Sequence, residues 1–187
     1  MDHYLDIRLR PDPELPAVQL METLFAKLHR ALVQLQADDI GISFPQFDAQ
    51  RITLGDSLRL HGTQKRLQVL STQDWLQGMQ DHVISSPARP APENARHRIV
   101  RRVQAHSSAD RIRRRQMRRK GWTYEEACQH IPDTVERLLP LPHVHLRSSS
   151  TGQNFALFIE HLAVQAAPVG GKFSAYGLSP NATVPWF

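Results

Sequence analysis

The first 86 residues switch repeatedly between two hydrophobic periods, and the order of those switches leaves few architectures open. Leu5, Ile7 and Leu9 alternate with Tyr4, Asp6, Arg8 and Arg10, the two-residue period of a half-buried strand. Pro11, Pro13 and Pro16 end it and open a helix, because proline lacks an N–H and its φ is preset for a first helical turn. Leu20, Leu24, Leu28, Ala31, Leu32 and Leu35 then recur at helical spacing as one apolar stripe, with Phe25 beside it. Residues 40–44 and 58–61 read as short strands, joined by a polar loop containing Gly55-Asp56. A helical stretch starts at Thr63, passes Leu67 and Leu70, and extends or restarts at Asp74-Trp75-Leu76 to reach Met79; Val83 and Ile84 follow as a last apolar run. Strand, helix, strand, strand, helix, strand is the split βαβ pattern, and it predicts a ferredoxin-like (RRM-like) domain over residues 1–86. That fold hosts many functions and specifies none.

Residues 87–94 hold three prolines in six residues and read as a linker. The chain is therefore expected to be α+β in two parts, with a smaller C-terminal α+β domain over 95–187. Residues 95–120 carry ten Arg and one Lys against a single acid, Asp110, a net +10; the whole chain is only +5, so the other 161 residues sum to −5. Arginine's planar fork of donors suits bidentate contact with phosphates and guanine edges, so the stretch reads as a nucleic-acid surface; the bland alternative is a solvated helix.

The basic stretch has two parts. Residues 98–104, rich in Val and Ile, favour a strand in which Arg102 and Gln104 share a side, as guanine and adenine readers or simply as a polar outer face. Ser107 and Asp110 open a helix predicted over 108–120 and stopped by Gly121. Arg111, Arg114, Arg115, Arg118 and Arg119 fall on one arc of it, while Arg113, Gln116 and Met117 lie elsewhere. Such a ladder suits a phosphate-lined groove, more readily that of a short hairpin than of long A-form RNA. Thr123 and Glu126 form a further capping box, and residues 133–138 read as another short helix. Val144 and Leu146 mark a strand leading into Arg147 and the hydroxyl run Ser148-Ser149-Ser150-Thr151, a turn signal and also a donor cluster. Strands are expected at 155–159 and 173–176, and the apolar tail 184–187 is expected to dock.

No apolar run approaches a membrane span, and the polar, alternating N-terminus is unlike a signal peptide. Cys128, the one cysteine, has no partner for an internal disulfide, and cytoplasmic residence follows. His143 and His145 share a strand face but lack a third ligand in view, so the pair reads as a half-exposed strand rather than a metal site. His29 falls on the edge of the first helix's apolar stripe, where a side chain is desolvated on one side and still reaches solvent or substrate.

Taken in order, MDHYLDIRLRP, Leu28-His29, RVQ at 102–104 as numbered for its Arg and Gln, RIRRRQMRR at 111–119, IPDTVERLL at 131–139, LRSSSTGQNF at 146–155, YGLS at 176–179 and the terminal VPWF resemble one family across the whole chain. It is the CRISPR-associated endoribonuclease of the type I-F (Ypest) subtype, which cuts precursor CRISPR RNA within its repeats. The resemblance implies a ferredoxin-like domain followed by a smaller one bearing the Arg-rich helix. It implies a CRISPR repeat RNA hairpin as substrate, cut at the 3′ base of the stem, and a place among the other subunits of a type I-F surveillance complex. By position it implies catalytic roles for His29, Ser148 and Tyr176. It implies RNA contacts by Arg102 and Gln104, by Arg114, Arg115, Arg118, Arg119 and Lys120 on the groove helix, by Ser150 in support, and by Phe155 as a stacking aromatic; Arg111 joins the RNA-binding set from its place on the arginine arc. Lys120 departs from the histidine often found there, keeping a cation but losing a stacking ring.

The chemistry implied is transesterification with no metal and no cofactor: the ribose 2′-OH attacks its own phosphorus, leaving a 2′,3′-cyclic phosphate and a 5′-OH. An imidazole, with an ordinary pKa of about 6.5, suits the proton transfer. A non-cleaving RNA-hairpin subunit would use the same helix and the Arg102/Gln104 pair without needing His29, Ser148 and Tyr176. A DNA-binding regulator would need a helix-turn-helix arrangement, which is not evident.

Overall fold

The structure, a computed structural model, describes residues 1–104, 109–132, 139–148 and 152–187. β1 (His3–Leu9) buries Leu5, Ile7 and Leu9 and leaves Arg8 and Arg10 in solvent, as the alternation requires. α1 (Ala17–Gln34) starts at Pro16 and buries Leu20, Leu24, Phe25, Leu28, Ala31 and Leu32. β2 (Gly41–Ser43), β3 (Ser57–Gly62), α2 (Gln64–Ser71) and β4 (Val83–Ser85) complete the expected series. The strand order is β2-β3-β1-β4, every neighbouring pair antiparallel, so β3 inserts between β1 and β2 as the split βαβ pattern demands. The second helix is shorter than its sequence pattern. It ends at Ser71, where the Ser71 and Thr72 hydroxyls donate to the Leu67 and Val69 carbonyls, and Asp74–Gln77 continue as turns.

Within the proline-rich stretch, β5 (Arg89–Pro90) pairs with β1. β6 (Arg96–Val103) then pairs through its second half with β8 (Asn154–His161), which also holds β7 (His143–Arg147). Its first half pairs with β9 (Thr183–Trp186), giving a sheet of order β7-β8-β6-β9. The docked tail goes further than β9: Phe187 packs edge-on against Tyr4 at 4.8 Å between ring centres, under the Arg59 guanidinium. α3 (Ala109–Lys120) stops at Gly121, whose φ of +69° suits glycine, and α4 (Tyr124–His130) carries the capping box reciprocally between Thr123 and Glu126. The helix expected at 133–138 lies outside the described residues.

The strand expected at 173–176 does not form. The segment is a turn instead: Ser174 N–H donates to Leu178 O, Gly177 N–H to Ser174 O, and Gly177 has φ +70°. A glycine in that conformation turns the backbone away from any ladder. Apolar residues of both sheets join one buried cluster, with Gly41 of β2 pressed so close to Phe173 and Val184 that an added Cβ would lie within 2.7 Å of each. Among the described residues no helix is long and apolar enough to cross a membrane.

At that junction His161 stacks on Phe47 with 4.0 Å between ring centres, and neither ring nitrogen has a hydrogen-bond partner among the described residues. Burial, and then the Arg98 guanidinium, push its pKa down to about 3. Burial likewise holds His61, bonded to Ser43, well below the ordinary range. Below about pH 6.5 the unfolded chain therefore binds protons that the folded chain refuses. Stability is complete well above that pH and falls as pH drops toward 3, with His161 costing about 1 kcal/mol at pH 5.5 and His61 acting in the same direction. His161→Phe keeps a ring on Phe47 and removes the titration. Thermal melts at pH 7.5 and 5.5 should show a smaller acid loss for the variant; equal losses would exclude His161 as a source.

Candidate active site

His29 sits on α1 opposite the end of β7, and a second contact sets the distance between these elements. The Glu22 carboxylate, two turns before His29, accepts from His145 N–H at 3.0 Å and from His145 Nδ1 at 2.7 Å. This clamp, which the sequence gives no sign of, ties α1 to β7 three residues before Ser148. It also shows what the His143/His145 pair does: His145 is held by Glu22, and the two rings meet edge to face at 4.9 Å. Among the described residues no group of three or more His, Cys, Asp or Glu is placed to hold a metal ion.

Between α1 and β7 opens a cleft of about 760 Å³. His29, Ser148, Phe155 and Tyr176 all line it, so the three implied catalytic side chains and the implied stacking aromatic converge on one space. His29 Nδ1 lies 2.8 Å from the carbonyl oxygen of Ala175. A carbonyl only accepts, so Nδ1 carries the proton and Nε2 is left with its lone pair. Tyr176 lies parallel to the imidazole, with 4.1 Å between ring centres and a 14° tilt, and is itself backed by Phe25. The 174–178 turn thus supplies both constraints on the ring, one to its edge and one to its face. Ser148 follows β7 and closes a small loop, its N–H donating to Gln153 O and its carbonyl accepting from Gly152 N–H. Ser150 lies outside the described residues.

Arg102 and Gln104 are both exposed, Arg102 on β6 and Gln104 just beyond its end. The Arg102 guanidinium stands 5.7 Å from the ring centres of both Phe155 and Tyr176, so the outer face of β6 is continuous with the cleft. On α3, Arg114, Arg115, Arg118, Arg119 and Lys120 are exposed. Arg111 belongs to this helix, with its side chain outside the described residues. Arg113, off the ladder, is buried: it donates twice to Ile131 O, at 2.8 and 2.6 Å, and to Asp110. One arginine therefore anchors the helix to α4 through hydrogen-bonded burial, which a guanidinium tolerates only when so paired. The N-terminal half of α3 leans on the cleft-side loop through Arg114 and Gln153, 3.5 Å apart. Lys120 lies over Trp122 at 4.4 Å, and Trp122 stacks on His130.

The family model for CRISPR-associated protein (Cas_Csy4) matches residues 4–187. The CRISPR-associated endonuclease Cas6/Csy4 of Pseudomonas aeruginosa (strain UCBPP-PA14) is 52% identical over 187 residues, covering 100% of both chains. The protein of the same name from Escherichia coli (strain UTI89 / UPEC) is 45% identical over 188 residues, again with 100% of both covered. A solved structure described as "Structure A of CRISPR endoribonuclease Cse3 bound to 19 nt RNA" aligns over 99% of this chain and 100% of that one at 18% identity, and its TM-score of 0.35 is too low to argue from. On the full-length match and the identity to both relatives, the chain belongs to the Cas_Csy4 family of CRISPR-associated proteins.

Proposed function

We propose that this protein is a CRISPR RNA-processing endoribonuclease that cuts precursor CRISPR RNA at the 3′ base of the repeat stem-loop and keeps the product hairpin. The observation that carries the reading is an imidazole locked as the Nδ1–H tautomer, stacked on Tyr176, in a cleft that adjoins a ladder of exposed arginines. A hairpin-binding subunit that does not cut has no use for a histidine so constrained.

In this reading Arg114, Arg115, Arg118, Arg119 and Lys120 grip the phosphates of the stem, with Arg111 and Ser150 in support. Arg102 and Gln104 read bases at its foot, and Phe155 stacks beneath the last pair. Ser148 holds the 2′-OH in line with the scissile phosphate. His29 Nε2 takes the 2′-OH proton, the 2′ oxygen bonds to phosphorus, and the bond from phosphorus to the 5′ oxygen breaks. A 2′,3′-cyclic phosphate forms, the departing oxygen takes a proton from water, and His29 returns its own to solvent. Tyr176 acts through His29 by fixing the ring plane.

The two distinct sheets, the first including β5 of residues 89–90, support a division into units 1–86 and 95–187, with the stretch 87–94 laid against the first. Association with the other subunits of a type I-F surveillance complex, in the cytoplasm, follows from the family resemblance. The test uses a CRISPR repeat hairpin RNA in excess EDTA beside the same RNA with a 2′-deoxy sugar at the cut. Cutting of the first alone, with a cyclic phosphate on the upstream product, is the expected result. Tight binding of both with cutting of neither would establish the non-cleaving hairpin subunit instead.

A further inference from the structure

The cleft extends along α1 beyond His29, and the other residues of that wall have no role in the chemistry above. Along that wall α1 presents Ala26, His29, Arg30, Val33 and Gln34 in successive turns, a rail of about 12 Å at 1.5 Å per residue. Arg30 is exposed and makes no hydrogen bond or ion pair among the described residues. Its neighbours differ: Lys27 donates to Gln77 O, and Arg147 across the cleft donates to Gly152 O. Val33, 51% exposed, adds an apolar patch one turn from His29. Among the described residues no Asp or Glu lines the cleft, so none of them neutralises Arg30 there.

Covalent continuity says what passes along this wall. The strand being cut is the one strand forced past His29; upstream of the scissile phosphate it is held in the stem, and downstream it must leave through the same cleft. We propose that the α1 wall is a subsite for the single-stranded RNA on the 3′ side of the cut, with Arg30 holding the next phosphodiester and Val33 packing against the intervening nucleotide. This rests on the endoribonuclease reading and adds a prediction that reading lacks. The uncut substrate makes a contact that the retained product hairpin does not, so cutting releases only the downstream strand.

The experiment measures fluorescence anisotropy at low salt with 2′-deoxy hairpins. One ends at the cut site, one extends by a single 3′ nucleotide, one by four 3′ nucleotides, and one by four 5′ nucleotides. Wild type should bind the four-nucleotide 3′ extension about threefold more tightly than the blunt hairpin, the scale of one exposed ion pair. The single-nucleotide extension has no phosphate beyond the scissile one and should gain nothing from Arg30. Arg30→Ala should erase the gain, leave blunt-hairpin affinity in place, and reduce the salt slope for the long RNA by about 0.7. Arg30→Lys should keep part of it. The subsite is overturned if Arg30→Ala weakens all four RNAs alike, acts only on the 5′ extension, or changes none. Failure of wild type to bind the blunt hairpin would instead overturn the endoribonuclease reading itself.

Discussion

His29→Ala should abolish cutting of the repeat hairpin while leaving its affinity nearly unchanged. The reason lies in what the imidazole touches. Its Nδ1 is bonded to Ala175 O and its face is covered by Tyr176, both contacts within the protein, and the ring lines the cleft with the Nε2 lone pair left over. Replacing it with a methyl group removes the proton acceptor and leaves the arginine ladder, Arg102, Gln104 and Phe155 where they were. General acid–base catalysis contributes about 10²- to 10⁴-fold, so single-turnover rates should fall by at least about a hundredfold. Anisotropy with a 2′-deoxy hairpin measures affinity separately from cutting. A loss of affinity on the scale of the loss of rate would make His29 a binding residue and remove it from the chemistry.

Gly177→Ala should be the most disruptive single-methyl change near the site. Gly177 has φ +70°, and a Cβ there would stand 2.6 Å from Ile42 Cγ2. Ile42 is fully buried, and its N–H donates to Gly177 O, so it has no room to retreat. A left-handed conformation costs an alanine about 1–2 kcal/mol, and overpacking a core costs about 1–3 more. A total near 3 kcal/mol corresponds to a Tm drop on the order of 10 °C for a chain of this size. The rate should fall too, even at temperatures where the variant is folded, because the turn that shifts carries Ala175 O and Tyr176. Gly170→Ala is the control, since a Cβ there meets nothing within 4 Å. Equal melting points and equal rates for the two variants would sink the claim that this turn is rigidly seated.

What the sequence made legible is what depends on neighbours within a turn or two. The alternation of Leu5, Ile7 and Leu9, the α1 stripe, the Thr123–Glu126 box and the stop at Gly121 are local patterns, and the fold realises each. The arc of arginines was local too, and Arg113, off that arc, turns inward. What stayed hidden rests on partners far along the chain. Residues 173–176 have a strand's composition, yet their carbonyls and N–H groups are used by a turn and by His29. Nothing near Glu22 announces His145, 123 residues away, and nothing near His161 announces Phe47. The convergence of His29, Ser148, Phe155 and Tyr176 on one cleft follows from these distant pairings and could be anticipated only from the family resemblance.

The bond between His29 and Ala175 joins positions 146 residues apart. On the ribosome the histidine is made early and its orienting carbonyl late, with an interval on the order of ten seconds at ordinary rates of synthesis. Through that interval the nascent chain holds an imidazole free to adopt either tautomer, with no Tyr176 against it and no β9 to seat the loop beneath. In the proposed mechanism, cutting therefore waits on the synthesis of residues 175 and 176. A chain ending before Ala175 would lack both contacts that orient this imidazole.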